Sequence, residues 1–221
     1  MSADPAVNRT TLVLRLWLPD RPGALGLVAS RIGAVRGDVL AIDILERGGG
    51  QVIDELVVSV PAGTPQELLV AEVGAVDGVA VESVREAPGD RPDPAQALFE
   101  LGAHVAEACA DGHADPLAVL GNGIAAALEA DWVVVTGADG ERFRHGRPPD
   151  PRWLEAFLDG SEHLPAGGNH GPADVLWARL PRAALLIAAG RAARAAHERE
   201  RVRLQVLART VDHLLAVASS S

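Results

Sequence analysis

The stretch "LPDRPGAL", residues 18–25, joins an alternating apolar run to a run with helical spacing. Residues 11–18 are rich in β-branched and aromatic side chains and predict a strand. Residues 23–35 place their apolar side chains on one helical face and predict a helix. An acid, a base, a proline and a glycine therefore meet at a strand-to-helix turn. They either make only the turn or also make a binding site.

The residues that follow extend this strand–helix pair into a small domain. Residues 38–47 and 51–60 predict two strands joined by the "GGG" of residues 48–50. Thr64 followed by Glu67 is a capping-box pattern and predicts a helix to about residue 76. Residues 78–86 predict a fourth strand. The order β-α-β-β-α-β predicts a ferredoxin-like unit, with a four-stranded antiparallel sheet and both helices on one face.

A second α+β domain is expected after a linker. Residues 88–94 are rich in proline, glycine and acid and predict the linker between domains at 9–87 and 95–218. Helices are expected at 95–110, 116–128, 150–160 and about 192–218. A hairpin turning at Asp139 and Gly140 and two further strands within 174–190 complete the second domain.

Composition limits the classes of function. Hydrophobic residues make up 48% of the 221 positions, which is ample for a packed core. The net charge of −10, from 30 acidic and 20 basic residues, argues against binding to nucleic acid. A single cysteine, Cys109, fits a reducing compartment. With no signal-peptide pattern and no apolar run long enough to cross a membrane, we expect a soluble cytoplasmic protein.

The first domain resembles an ACT domain over about residues 9–87. The resemblance rests on "DRPGAL" at the first turn, on "GDVLAIDI" entering the second strand and on the order of elements. ACT domains are small ligand-binding modules of amino-acid metabolism. In that family the ligand usually lies between this turn of one subunit and the start of the second strand of its neighbour. The ligand-binding residues that the resemblance implies are Asp20, Arg21, Pro22, Gly23, Ala24 and Leu25, with Asp38, Val39 and Leu40.

The chemistry of the turn is consistent with such a ligand. Asp20 is expected to accept hydrogen bonds from the first helical N–H groups, and Gly23 allows close approach to the backbone. Exposed N–H groups and the helix dipole favour a carboxylate. Asp20 or Asp38 could hold the ammonium group of the same molecule. The alternative is that "DRPG" is only a turn with a helix cap.

The second domain resembles a divergent GAF domain over about residues 95–218. The segments that carry the resemblance are "ADWVVVTGADGERF", "VLWARLPRAALLIAAG" and the terminal helix. GAF modules bind small molecules on one sheet face or dimerise through their terminal helices. Trp132, Trp153 and Trp177 are expected in the core.

Several other patterns predict no chemistry. Gly121, Gly123 and Ala126 match a dinucleotide fingerprint with Asp139 as the ribose acid, but the helix is too short for a parallel crossover and a glycine-interrupted helix is favoured. Neither the seven histidines nor Cys109 forms a metal-ligand or nucleophile pattern. Arginines alternate with glutamates over residues 191–203, which predicts a solvated helix face.

These observations predict a non-catalytic regulatory protein that binds an amino acid at a homodimer interface, with no cofactor and no metal. Its output would be a regulated enzyme or signalling protein. One alternative is a dimerisation or regulatory subunit with no small-molecule ligand. A weaker alternative is a nucleotide-binding enzyme that uses the glycines at 121 and 123.

Overall fold

The computed structural model describes residues 8–87, 93–160, 174–192 and 194–218. The chain divides into two units, Met1–Arg91 and Pro92–Ser221. Most of the expected linker lies outside the described residues, as do residues 161–173, which include His163 and His170.

The first unit follows the predicted order of elements. Its strands and helices are β1 (Arg9–Pro19), α1 (Ala24–Ala34), β2 (Asp38–Gly48), β3 (Gln51–Pro61), α2 (Gln66–Gly74) and β4 (Ala80–Ala87). The strands form one sheet in the order β2-β3-β1-β4, and every neighbouring pair is antiparallel. The ferredoxin-like arrangement is therefore confirmed, and β2 is an edge strand.

Side chains at alternate positions of β1 form the core of this unit. The leucines at 12, 14, 16 and 18 all point to one face of β1 and are buried. They pack with Val28 and Ile32 of α1 and with Leu69 and Val73 of α2. Both helices therefore cover the same face of the sheet.

The expected capping box at Thr64 is wrong. The N-cap of α2 is Pro65, and no side chain among the described residues caps this helix. The Thr64 hydroxyl donates instead to the Pro61 carbonyl at 2.7 Å. A proline disfavours helical backbone in the residue before it, so the helix begins after Pro65 rather than at Thr64.

The second unit is also α+β, as predicted. Its elements are α3 (Pro94–Asp111), α4 (Pro116–Ala127), β5 (Trp132–Gly137), β6 (Gly140–Gly146), α5 (Pro151–Gly160), β7 (Val175–Leu180), β8 (Leu185–Gly190) and α6 (Glu198–Ala218). The sheet order is β6-β5-β8-β7, again antiparallel. Asp93, at the end of the expected linker, caps α3 by accepting hydrogen bonds from the N–H groups of Ala95 and Gln96.

Both faces of the second sheet are covered. One face packs on α3, α4 and α6 through Val133, Val135 and Leu176, among others. The other face meets α5 through Val134, Leu154 and Leu158. No helix in the described ranges is both long and apolar enough to cross a bilayer.

The last helix begins at Glu198, six residues later than expected. Before this start, the Ala192 N–H donates to the Asp131 carboxylate at 2.7 Å. The Glu200 carboxylate accepts a hydrogen bond from the backbone N–H of His197 at 3.0 Å and so fixes the helix start.

The expectation of a solvated charged face over residues 191–203 is also wrong. Arg191, Glu200 and Arg201 are buried. Arg191 pairs with Glu200 at 2.8 Å, and Arg201 donates to the Val175 and Ala196 carbonyls. Burial of a charge is costly unless the charge has a partner, and each of these side chains has one.

The tryptophans divide between core and surface. Trp132 is buried and Trp177 is half-buried, as expected. Trp153 is 43% exposed and stacks on Phe157 with ring centroids 5.5 Å apart. The core expectation is therefore wrong for Trp153.

Candidate functional site

The turn between β1 and α1 is built around Gly23. Its φ of +86° lies in the left-handed region, which favours glycine. No atom lies within 4 Å of the position that a Cβ would occupy there. The backbone at this point is therefore open to an approaching group.

The start of α1 offers hydrogen-bond donors beside this open position. The Ala24 N–H donates to the Arg21 carbonyl at 3.3 Å, and the Leu27 N–H donates to the Gly23 carbonyl at 3.1 Å. The N–H groups of Leu25 and Gly26 lie in the first turn, where a helix has no intrahelical acceptor for them. Together with the helix dipole, they can receive an anionic group.

Asp20 does not cap α1, contrary to expectation. No side chain in the described part of the chain caps this helix. The backbone N–H of Asp20 donates to the Gly50 carbonyl at 2.9 Å, so the residue is held at the β2–β3 hairpin. Its carboxylate faces Arg47, with Nη1 3.2 Å from Oδ1. The two side chains are 43% and 55% exposed, so this ion pair is worth at most about 1 kcal/mol.

Asp54 is a buried acid that the sequence patterns did not single out. On β3 it lies directly across from Leu16 of β1 and Ile44 of β2. Because cross-strand partners point to the same face, its side chain enters the helix-covered face that holds the Leu16 core. Asp54 is 4% exposed, and none of the described residues forms a hydrogen bond with its Oδ1 atom.

Burial is the main cause that raises the pKa of Asp54 above its ordinary value. The positive charge of Arg47 lowers this pKa, whereas the negative charges of Asp20 and Asp43 raise it. The charges that act on Asp54 therefore include Asp20 in the turn before α1 and two residues of β2, Asp43 and Arg47. The alternation of "QVIDELVVSV" could have identified it, since Asp54 shares the inward positions of Leu56 and Val58.

Residues Asp38, Val39 and Leu40 lie at the opposite end of the sheet. Asp38 pairs with Ser59, which pairs with Thr11 of β1, whereas the turn follows Pro19. The eight residue steps from Thr11 to Pro19 span about 26 Å at the rise of a strand. Within one chain, the two halves of the predicted site are therefore not brought together.

The start of β2 carries exposed apolar side chains on an edge strand. Leu40 is 52% exposed and Ile42 is 48% exposed. The outer edge of β2 has no neighbouring strand in the described sheet. Such an edge can pair with a strand of another chain.

The glycines of the fingerprint-like stretch have a packing role. Gly121 and Gly123 lie inside α4 rather than at a strand-to-helix turn. A Cβ at Gly121 would overlap Phe143, and one at Gly123 would overlap Leu101. The glycine-interrupted helix that the sequence favoured is confirmed, with the glycines allowing close packing.

The described residues give little support for a metal site or a reactive thiol. The described ranges contain no group of three or more histidine, cysteine, aspartate or glutamate side chains placed to hold a metal ion. Cys109 is half-buried, and burial raises the pKa of its thiol. A raised pKa disfavours the reactive thiolate.

The described part of the second unit includes a cavity and a groove. A cavity of about 320 Å³ lies between the β5–β6 hairpin and α5, with Val134 and Leu158 in its lining and the Glu141–Arg144 ion pair beside them. A groove of about 470 Å³ runs between α3 and α6, lined mainly by apolar residues such as Phe99 and Val206. Phe99 is 82% exposed.

Comparisons with known proteins give partial structural likenesses. No family model and no curated protein matches the sequence. The ACT domain from the GTP pyrophosphokinase of Chlorobium tepidum is 16% identical, with 36% of this chain and 100% of that chain covered at a TM-score of 0.27. A formyltetrahydrofolate deformylase from Pseudomonas putida KT2440 is 20% identical, with 37% of this chain and 30% of that chain covered at a TM-score of 0.30. An unknown protein from Galdieria sulphuraria is 13% identical over 71% of this chain and 94% of that chain, at a TM-score of 0.33.

Proposed function

We propose that this chain is a regulatory protein that binds a small ligand, an amino acid, at the start of α1. The observation that carries the proposal is the open turn at Gly23, which leads into the first N–H groups of α1 three residues after Asp20. The first helical N–H groups suit the carboxylate of a ligand. Asp20 and Asp54 supply negative charge for an ammonium group. An amino acid carries both groups on one carbon atom.

A second copy of the chain would complete the site. The exposed edge of β2 supports a pairing of β2 with its own copy around a two-fold axis. In such an antiparallel pair, the first residues of one strand lie beside the last residues of the other. Residues 38–40 of one copy would then lie near Arg47 and the Gly23 turn of the other. The amino acid would bind at this homodimer interface.

The proposed role is non-catalytic. A ligand that contacts both copies binds the paired state more tightly and shifts the equilibrium towards it. The dimer would then transmit the signal to a regulated enzyme or signalling protein.

The alternative role is protein–protein association without a small-molecule ligand. The apolar groove between α3 and α6 favours this alternative, because Phe99 and Val206 leave large apolar surfaces in water. A GAF-like role for the second unit would instead place a second small molecule in the cavity beside α5.

A thermal-shift screen of the protein against each amino acid tests the proposal. A ligand that binds only the folded state at about 100 times its Kd adds about 2.7 kcal/mol of stability. The matched pair of variants is Gly23→Asp and Gly112→Asp. Both glycines have a positive φ and open space around the Cβ position, and aspartate tolerates this backbone geometry.

We expect one or a few amino acids to raise the melting temperature of the wild type and of Gly112→Asp. Gly23→Asp should lose this rise, because its added negative charge lies where the ligand carboxylate would bind. A screen with no rise for any amino acid would contradict the proposal. Retention of the rise in Gly23→Asp would show that the amino acid binds at another place in the protein.

A further inference from the structure

We propose that Asp54 accepts the ammonium group of the ligand. This inference rests on the proposed function, since it names the residue that would recognise the amino group of an amino acid at the start of α1. Asp54 lies on β3, outside both the turn before α1 and the start of β2.

The position of Asp54 is unusual for an acid. It stands across from Leu16, a fully buried core residue, and is itself 4% exposed. Its Oδ1 atom is shielded from water, and no described donor is bonded to it. A buried carboxylate oxygen is normally hydrogen-bonded, so an incoming donor would satisfy it.

The donor is expected to be a cation. Asp20 and Asp43 add negative charge to the surroundings of Asp54, and Arg47 is the nearby positive charge. Arg47 is already paired with Asp20 at 3.2 Å. The charged groups that act on Asp54 are therefore two carboxylates and one guanidinium. An ammonium group would reduce this excess of negative charge.

Two other carboxylates are less suited to this role. Asp20 is exposed and already accepts a hydrogen bond from Arg47. Asp38 lies at the far end of the sheet, about 26 Å away along the strands, and can reach the site only from another copy. Asp54 is buried, has an unsatisfied oxygen and belongs to the same chain as the helix start.

The test compares each amino acid that binds with the matching carboxylic acid that lacks the amino group. Binding of both probes is measured by calorimetry for the wild type, Asp54→Asn and Glu67→Gln. Glu67 is an exposed acid in the first turn of α2 and lies outside the proposed site. A charge-assisted hydrogen bond predicts that the wild type prefers the amino acid by about tenfold to a hundredfold. Asp54→Asn should bind the two probes nearly equally, whereas Glu67→Gln should keep the preference.

A second variant, Asp54→Leu, controls for a folding defect in Asp54→Asn. Leucine has a similar size and matches its neighbours Leu16 and Ile44, and it should also abolish the preference. Full preference in both Asp54 variants would overturn the inference and leave the proposed amino-acid site intact. A wild type that binds no amino acid would instead overturn the proposed function, and the inference with it.

Discussion

Arg47 at the end of β2 and Asp20 in the turn before α1 form an ion pair, with Nη1 3.2 Å from Oδ1. Asp54 interacts electrostatically with both residues: Arg47 lowers the pKa of Asp54 and Asp20 raises it. The three residues lie on three different segments of the sequence. The ferredoxin-like topology brings them to the end of the sheet where α1 begins, and a change in one should alter the proton affinity of another.

The first prediction concerns this coupling. Arg47→Gln should raise the pKa of Asp54 further, because a positive charge is lost. Asp20→Asn should lower the same pKa, because a negative charge is lost. Titration of the Asp54 carboxyl carbon by NMR measures both shifts. Shifts of the same sign in the two variants would contradict the coupling.

The second prediction concerns stability and pH. The pKa of Asp54 is raised in the folded state, so between its ordinary and raised values the folded chain binds more protons than the unfolded chain. The contribution of Asp54 to the free energy of unfolding therefore falls as pH rises through this window. Asp54→Asn removes that pH-dependent loss, so its stability relative to the wild type should be higher at neutral pH than at acid pH.

Urea unfolding of the wild type and Asp54→Asn across the acid-to-neutral range measures this difference. The gain in the variant should grow as pH rises and then level off. Asp38→Asn, at an exposed position, serves as the control and should show no comparable trend. A gain that shrinks with rising pH would show that the pKa of Asp54 is lowered in the folded state instead.

A third prediction concerns the glycines of α4. Gly121→Ala and Gly123→Ala should each destabilise the second unit by about 1–3 kcal/mol, because the added methyl group overlaps Phe143 or Leu101. Gly33→Ala in α1 is the control, since nothing lies within 4 Å of its Cβ position. That variant should gain up to about 1 kcal/mol from helix propensity. Thermal unfolding separates the two cases, and neutral effects at both α4 positions would contradict the packing role.

The buried pair of Arg191 and Glu200 provides a fourth prediction. Glu200→Gln leaves the Arg191 guanidinium buried without its counter-charge and should cost about 3–5 kcal/mol. Glu141→Gln breaks the exposed pair with Arg144 and should cost much less than Glu200→Gln. Chemical denaturation measures both losses. Equal costs would mean that burial does not strengthen the Arg191–Glu200 pair.

A fifth prediction concerns the edge of β2. If two copies pair through this strand, Ile42→Lys should convert a dimer into a monomer, because a charge would enter the interface. Leu68→Lys on α2 is the control, since Leu68 is 46% exposed and Ile42 is 48% exposed. Sedimentation analysis measures the mass of each variant. A monomeric wild type, or a dimeric Ile42→Lys, would exclude this interface.

Local patterns predicted most of the fold. Alternating leucines identified β1, and helical spacing identified α1, because one buried face imposes its period on the sequence. The hairpins at 48–50 and at Asp139 and Gly140 followed from turn residues. These features depend on neighbours in the sequence, which is why the sequence alone was sufficient for them.

The features that were predicted wrongly depend on distant partners. The segment with Arg191, Glu200 and Arg201 has a sequence typical of a solvated surface, and its burial follows from partners such as the Val175 carbonyl. Asp20 was expected to cap a helix but is held by Gly50 and Arg47. Alternation along β3 places Asp54 on the inward face, but its neighbours Leu16 and Ile44 follow from strand register, which a single sequence does not specify.

NMR spectroscopy of the labelled protein during titration with an amino acid found in the thermal screen locates the binding site. The largest changes should appear at the backbone N–H groups of Leu25 and Gly26 and at the Asp54 carboxyl group. The same titration should leave residues of the cavity beside α5, such as Val134 and Leu158, unchanged. Changes confined to that cavity, or none at all, would contradict an amino-acid site at the start of α1.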